Sequence, residues 1–175
     1  MLLIATACGD DNSSDVPTST PDPTPSRPRP SGLGIRNNPF RFGASSALND
    51  DWEISTVGLA RNGDWIVAAS SELNDPPAVG NQFFVVTVVA TYLGEGSAPF
   101  EARFGAVGST NTEYTPDENS CGILHEAIPD NEVSSGGTVS GDVCWEIAST
   151  DADGLLMYYD RASLDGTERI YWGFD

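Results

Sequence analysis

The sequence predicts an all-β fold, an antiparallel two-sheet β-sandwich preceded by a disordered Pro-rich tail. Short runs rich in β-branched and aromatic residues recur over residues 39–175, with Gly, Pro and Asn turn signals between them. No stretch of useful length has the apolar period of a helix. Residues 9–38 consist mainly of Pro, Ser, Thr, Asp and Gly, so they offer few apolar side chains to a core.

The first two predicted strands are Trp52–Leu59 and Trp65–Ala68, and the turn residues Asn62-Gly63-Asp64 lie between them. The first strand alternates in polarity, with Trp52 and Ile54 on the same face. The four Trp and seven Phe residues of the chain fall mostly at such alternating positions. We therefore assign them to the core, Trp65 included.

The segment Gln82–Leu93 is apolar at successive positions, so we expect a central strand covered on both faces for part of its length. Four later segments are also predicted strands, and all except Leu155–Arg161 alternate in polarity, as strands with one buried face do. They are Phe100–Ala106, Val139–Ile147, Leu155–Arg161 and Glu168–Phe174. Gly136-Gly137 is interpreted as a turn, because neither a helix nor a Lys follows it as in a phosphate loop. Seven or eight strands at this spacing fit a sandwich of two sheets.

Residues 1–8 resemble the end of a bacterial lipoprotein signal peptide, with small residues directly before Cys8. The apolar run is short and has no basic residue before it, so we interpret it as a truncated signal. Cys8 would carry acyl chains that anchor the protein to a membrane. Residues 9–38 would then form a disordered stalk, in which the prolines favour extended polyproline II. Without the lipid, the same residues would be a disordered tail only.

The other two cysteines, Cys121 and Cys144, lie in the predicted domain. Cys144 points away from the inward-facing Trp145, so its partner must lie off the main core. Cys121 belongs to the long irregular stretch of residues 110–135. We predict that the two form a disulfide, which leaves Cys8 for the lipid. The alternative is three reduced thiols in a cytosolic protein.

The formal net charge is −18, from 26 acidic residues against eight basic residues, all of them Arg. Such a surface repels nucleic-acid phosphates and anionic lipid headgroups. We therefore expect no nucleic-acid partner, and membrane contact through the lipid on Cys8.

The sequence contains no recognisable catalytic constellation. His125 is the only histidine, so it would have to activate a nucleophile such as Ser120 or Cys121. We expect Cys121 to be oxidised and His125 to be an exposed loop residue. Carboxylate pairs suitable for glycoside hydrolysis are bound to occur by chance among 26 acids, so they identify nothing. The prediction is a protein without enzymatic activity.

Asp151 and Asp153 have the close carboxylate spacing that suits Ca²⁺, but the downstream Glu of an EF-hand loop is missing. Asn49-Asp50-Asp51 and Asp117-Glu118 are similar acidic groups. If two of these loops met at one end of the sandwich, weak Ca²⁺ binding would follow. The simpler interpretation is that all are solvated turn residues, and we predict no cofactor.

Seven segments together resemble one family. They are DWEI at Asp51–Ile54, NDPPAVGNQF at Asn74–Phe83, the following VVTVVATYLG, NSCG at Asn119–Gly122, GGTVSGDVCWEI at Gly136–Ile147, DGLLMYYD at Asp153–Asp160, and the closing RIYWGF. The chain is similar to bacterial extracytoplasmic lipoprotein domains of unknown function with an immunoglobulin-like fold. That family is related to a secreted immunoprotective antigen, and some members carry the label telomeric repeat-binding factor.

The resemblance covers about residues 39–175 and implies the immunoglobulin-like sandwich, a surface location and the disulfide. It implies no activity and no catalytic residues, and the nucleic-acid label conflicts with the net charge of −18.

The leading hypothesis is a non-enzymatic, lipid-anchored module at the bacterial cell surface that recognises a protein, a peptide or an envelope component. Its binding surface would be the loops at one end of the sandwich or the disulfide-linked face near residues 110–135. One alternative is a small extracytoplasmic enzyme that uses Ca²⁺ or acidic loop residues. Another is a structural spacer.

Overall fold

A computed structural model describes residues 32–163 and 166–174, and it confirms the predicted two-sheet β-sandwich. The strands are β1 (Phe40–Arg41), β2 (Ser45–Ala47), β3 (Trp52–Ala60), β4 (Asn81–Tyr92), β5 (Ser97–Pro99), β6 (Phe104–Val107), β7 (Glu113–Tyr114), β8 (Glu132–Ser134), β9 (Thr138–Ala148), β10 (Leu156–Ser163) and β11 (Gly166–Gly173). The helix α1 spans Asp64–Ser70, and a 3-10 helix spans Ser149–Gly154.

Two sheets enclose the main core. The five-stranded sheet has the order β1-β11-β10-β6-β7, and the four-stranded sheet has the order β2-β3-β4-β9. Strands β5 and β8 form a short two-stranded sheet beside them. All neighbouring strands are antiparallel except β1 and β11, which are parallel.

The central strand of the four-stranded sheet is β4, which pairs with β3 on one side and β9 on the other. One face of β4 is buried in the main core, where Phe84 lies opposite Trp145 of β9. The other face carries Phe83 and Val85, which are buried in a second, smaller cluster with Val67, Cys121 and Cys144. This confirms the prediction that Gln82–Leu93 is covered on both faces for part of its length.

The prediction of a strand at Trp65–Ala68 is wrong, because these residues belong to α1. The backbone of Phe83, where a neighbouring strand would pair, is already bonded to the preceding turn. Its carbonyl accepts the N–H of Gly63 at 2.6 Å, and its N–H donates to the Asp64 carboxylate at 2.8 Å. Without a strand partner, the next residues satisfy their backbone locally, as a short helix does.

The predicted strand Phe100–Ala106 is interrupted. Phe100 and Phe104 are buried as expected, but Ala102 is exposed and only Phe104–Val107 forms a strand. A tight turn, in which the N–H of Arg103 donates to the carbonyl of Glu101 at 2.9 Å, bends the chain at Ala102.

Residues 32–38, predicted to belong to the stalk, are in contact with the sandwich. Leu33 packs against the main core, and the carbonyl of Gly34 accepts the N–H of Tyr171 at 2.9 Å. The folded region therefore starts before the predicted boundary at residue 39. Cys8 and residues 9–31 lie outside the described residues. Across residues 32–163 and 166–174, no helix has the length and apolar character that crossing a bilayer requires.

Candidate functional site

Residues 115–128, which we call the crossing segment, connect the two sheets along one open edge of the sandwich. At its start, the Asn119 N–H donates to the Thr115 carbonyl at 2.8 Å, and the Thr115 N–H donates to Asn119 Oδ1 at 3.1 Å. The carbonyl of Asn119 then accepts the N–H of Glu146 in β9 at 2.9 Å. The chain thus leaves the five-stranded sheet after Tyr114 and reaches the edge of the four-stranded sheet.

The Cys121–Cys144 disulfide is present and fixes the crossing segment to β9. Both cysteines are buried in the cluster beneath α1. Beyond the disulfide, the N–H of Asp142 donates to the carbonyl of Glu126 at 2.6 Å, and the N–H of Ile128 donates to the carbonyl of Asp142 at 3.2 Å. The crossing segment therefore covers part of the β9 edge, which would otherwise expose unpaired backbone groups.

Asn74 joins the crossing segment to α1. Its side-chain amide donates to the carbonyls of Val67 and Ile123, each at 2.8 Å. Its Oδ1 accepts the N–H of Ile123 at 2.8 Å. One side chain thus satisfies backbone groups of both elements and holds them in a fixed relation.

Gly122 is required at this junction for two reasons. Its φ is +82°, and a Cβ atom built on it would lie 2.4 Å from Asn74 Oδ1. We expect Gly122→Ala to lower the free energy of unfolding by about 2 kcal/mol, through backbone strain and the loss of the Asn74 contacts. Chemical denaturation of the full chain measures this.

Gly80→Ala is the matched control for that variant, because Gly80 has a φ of +89° and nothing within 4 Å of its Cβ position. It should show the backbone cost alone, about 1 kcal/mol. Equal losses in the two variants would contradict the role given to Asn74.

Three large apolar side chains are exposed on the segments that meet at this junction: Trp65 at 70%, Leu73 at 82% and Ile123 at 53% of their surface. We call them the exposed apolar cluster. Trp65 lies on α1, Leu73 directly precedes Asn74, and Ile123 is bonded to Asn74 through its backbone. All three are thus carried by elements that Asn74 and the disulfide tie together.

The exposure of Trp65 corrects its predicted assignment to the core. Within α1 only Val67 is buried, and Trp65 is two residues away, on the opposite side of the helix. The run Val67-Ala68-Ala69 contains two good helix formers after Asp64, and this was the available signal for a helix. Leu73 and Asn74 had no signal in the sequence, because their roles depend on contacts with residue 123.

Two adjoining cavities lie between the crossing segment and the start of β6. The inner cavity, of about 210 Å³, is lined mainly by apolar groups, among them Leu124, Ile128 and Val143, and by the disulfide. The outer cavity, of about 450 Å³, is polar and is lined by Arg103, Asp117 and Asp160 among others. Both cavities share Ala102, Phe104 and Pro116 in their walls.

Asp151, a candidate Ca²⁺ ligand, is neither a solvated turn residue nor free to bind metal. Its side chain is buried and accepts hydrogen bonds from Tyr114 at 2.7 Å, from Ser109 at 2.9 Å, and from the hydroxyl and N–H of Thr110 at 3.0 and 3.2 Å. Burial raises the pKa of Asp151, but the hydrogen bonds from Tyr114, Ser109 and Thr110 outweigh it and hold that pKa below its ordinary value. The carboxylate therefore fixes the loop of residues 108–112 to the 3-10 helix.

The other acidic groups are not assembled around Asp151. The carboxylate of Asp153 is exposed and lies 3.9 Å from Arg61. Asp51 precedes β3 at the end of the four-stranded sheet where Trp52 pairs with Tyr92, whereas Asp151 follows β9 at the opposite end. The length of β9 separates these ends by roughly 35 Å. In the part of the chain that the structure describes, no three His, Cys, Asp or Glu side chains are grouped to hold a metal ion.

His125 is an exposed loop residue whose Nε2 lies 3.7 Å from the Glu126 carboxylate. The hydroxyl of Ser120 accepts the N–H of Gly122 at 3.0 Å, and Cys121 is in the disulfide. The described contacts therefore bring neither candidate nucleophile to the histidine.

No family model and no curated protein sequence matches this chain. Among solved structures, the ycdA protein of Bacillus subtilis, described as a putative lipoprotein, matches with a TM-score of 0.52 at 10% identity, over 73% of this chain and 37% of that one. The chain thus spans little more than a third of that protein. The yjhA protein of Bacillus subtilis matches with a TM-score of 0.52 at 10% identity, over 78% of this chain and 99% of that one. MPT63, a secreted protein of Mycobacterium tuberculosis, matches with a TM-score of 0.51 at 13% identity, over 77% and 96%. At these identities the likeness is one of fold.

Proposed function

We propose that the chain is a non-enzymatic recognition module, held outside the cytoplasm by a lipid on Cys8, that binds another protein through the exposed apolar cluster. The observation that carries the proposal is the 70% exposure of Trp65 on a base tied down by a disulfide and by Asn74. Exposed Trp side chains of this kind are the residues that contribute most to protein interfaces when a partner covers them.

The base beneath the cluster supports this proposal energetically. Val67 of α1 packs against Phe83 and Val85, and the crossing segment is bonded covalently to β9. A surface that is already ordered loses less conformational entropy when a partner binds. Such a base favours recognition over a role as a spacer, which needs no ordered apolar surface.

The charges around the cluster indicate the chemistry of the partner. Glu72 and Asp75 flank Leu73 and Asn74, Glu126 follows Ile123 along the crossing segment, and all three acids are exposed. A partner surface with an apolar centre and basic residues around it is complementary to this arrangement. Association should then slow as ionic strength rises, because rim charges act mainly on the rate of encounter.

Three independent observations support the proposed extracytoplasmic location. Cys8 and the Pro-rich segment behind it fit a lipid anchor and a stalk. A disulfide is typical of proteins in oxidising compartments. Two of the structurally similar proteins are described as a putative lipoprotein and as a secreted protein.

Site-specific photo-crosslinking of the full lipidated chain in intact cells tests the proposed surface. A photoreactive amino acid placed at Leu73 should give a discrete protein adduct. The same amino acid at Val57, which is 55% exposed on β3, is the matched control and should not. The same adducts from both positions, or none from Leu73, would count against the surface and favour the spacer.

The exposure of Trp65 is itself testable by fluorescence. The other three tryptophans, Trp52, Trp145 and Trp172, are buried. We expect caesium ions, which the acidic surface does not repel, to quench the emission of the wild-type chain, and Trp65→Phe to remove most of that quenching while leaving the buried emission. Quenching that persists in the variant would show that another Trp is accessible.

A further inference from the structure

We infer a strand-addition site on the open edge of β6, which binds an extended peptide with a branched aliphatic residue flanked by basic residues. The site lies between the crossing segment and the start of β6. It includes none of the three residues of the exposed apolar cluster. The inference therefore does not depend on the function proposed for the cluster.

Strand β7 ends before it reaches the position opposite Phe104. Ala106 pairs with Tyr114 and Val107 with Glu113, so the same register would place Pro116 opposite Phe104. Proline has no N–H to donate to a neighbouring strand. Both backbone groups of Thr115 are already bonded to Asn119, so the chain turns away from β6 at that residue.

The backbone of Phe104 has no strand partner on the side of β6 that faces β7. The carbonyl of Arg103 faces β10, because it accepts the N–H of Asp160 at 3.1 Å. Successive residues of a strand direct their backbone groups to opposite sides, so the N–H and C=O of Phe104 face away from β10. They face the position beyond the end of β7, and no described residue outside the β-ladders bonds to them. A strand edge with a free donor and a free acceptor is the feature to which extended peptides add.

The inner cavity lies next to Phe104. A residue opposite Phe104 in an added strand would point to the same side as Phe104, between the two sheets. The cavity, of about 210 Å³, has Phe104 in its wall together with Leu124, Ile128 and Val143. Its apolar wall suits a branched aliphatic side chain, and its volume has room for one.

The peptide residues on either side of the aliphatic residue determine the charge that the peptide needs. They would point to the outer face of the five-stranded sheet, where the outer cavity lies. Asp160 is paired with Arg169 at 2.9 Å, and Arg103 is paired with Glu101. Asp117 is an exposed carboxylate in the same wall, with no described ion pair. A basic side chain of the peptide would form an ion pair with Asp117.

The probe for this site is the capped pentapeptide acetyl-Ser-Arg-Val-Arg-Ser-amide. Titration into the isotopically labelled full chain with Cys8→Ser should shift the amide resonance of Phe104 and give saturable binding below about 1 mM. The same peptide with an N-methyl group on its Val cannot donate to the Phe104 carbonyl and should bind at least about tenfold more weakly. No saturation up to that concentration, or equal binding of the two peptides, would overturn the inference.

A pair of charge variants locates the binding. Asp117→Lys should weaken binding of the pentapeptide by about fivefold or more, since it places a like charge beside the flanking Arg. Asp75→Lys changes the net charge by the same amount away from the cavities and should leave the affinity within about twofold. Equal effects of the two variants would mean that the peptide responds to net charge alone, and the site on β6 would be wrong.

Discussion

Replacing Asp151 with Ala should lower the free energy of unfolding by about 4 kcal/mol at neutral pH. The carboxylate is only 1% exposed and accepts hydrogen bonds from Ser109, Thr110 and Tyr114. Removing it deletes these charge-assisted bonds and leaves the buried Tyr114 hydroxyl without an acceptor, whereas Ser109 and Thr110 are exposed and Thr110 keeps its bond to Thr112. Gly108 lies against the carboxylate, so removing the carboxylate would also open a cavity beside Gly108 and lower the stability further. Urea unfolding of the wild type and the variant measures the loss.

The effect of Asp151 should depend on pH in a defined direction. Its pKa is lowered in the folded chain, because the hydrogen bonds from Tyr114, Ser109 and Thr110 outweigh the opposing effect of burial. The contribution of the carboxylate is therefore present in full above the pKa of an unfolded Asp, about 3.9. It is lost as the pH falls through the lower pKa of the folded state, so the gap between wild type and Asp151→Ala should narrow in acid.

Asp153→Ala is the matched control, since it removes a neighbouring carboxylate that is exposed. The ion pair of Asp153 with Arg61 is long, at 3.9 Å, and therefore weak. Its unfolding curve should coincide with that of the wild type at every pH. A gap between wild type and Asp151→Ala that widens in acid, or a loss shared with Asp153→Ala, would contradict the role given to Asp151.

Removing the disulfide with Cys121→Ser and Cys144→Ser together should cost about 3 kcal/mol, the value expected for closing a loop of this length. The sequence separation is 23 residues. The loss has a local part as well, because both sulfur atoms are buried in the cluster with Val67, Phe83 and Val85. Amide hydrogen exchange should therefore accelerate most at Asp142 and Ile128, where the crossing segment bonds to β9.

Ser120→Ala is the control for the cysteine variant, because Ser120 precedes Cys121 and its hydroxyl accepts only a local bond from Gly122. It should leave stability and exchange at β9 nearly unchanged. If reduction or the double substitution left hydrogen exchange at Asp142 as slow as in the wild type, the disulfide would not be what holds the crossing segment.

The sandwich could be predicted from the sequence because strand burial has a period of two. In β9, Val139, Val143, Trp145 and Ile147 are buried in the main core, and Cys144 faces the other cluster, as its place in the alternation required. The double coverage of β4 followed for the same reason. These assignments depend on side-chain direction alone, which the residue number determines within a strand.

The functional surface could not be predicted in the same way, because it depends on contacts between distant segments. Trp65 fits a short strand or a short helix equally well, and only the bonds from Gly63 and Asp64 to Phe83 decide between them. Asp151 looked like a turn residue, since nothing in the sequence indicated that Tyr114 would donate to it across 37 positions.

The open edge of β6 could not be predicted from the sequence for a related reason. The segment around Ala102 has the alternation of a strand, and the turn from Glu101 to Arg103 breaks it. That Pro116 falls opposite Phe104 follows only from the register of β6 and β7, which a single sequence does not contain.

Binding of the purified chain to isolated cell envelopes tests the central claim most directly. The chain would carry Cys8→Ser to exclude the lipid, and Trp65→Ser would be compared with Val57→Ser, a substitution at a site of similar exposure. Recognition through the exposed apolar cluster predicts saturable binding that Trp65→Ser weakens at least about tenfold and Val57→Ser leaves unchanged. Equal binding of the two variants, with both still folded, would contradict it.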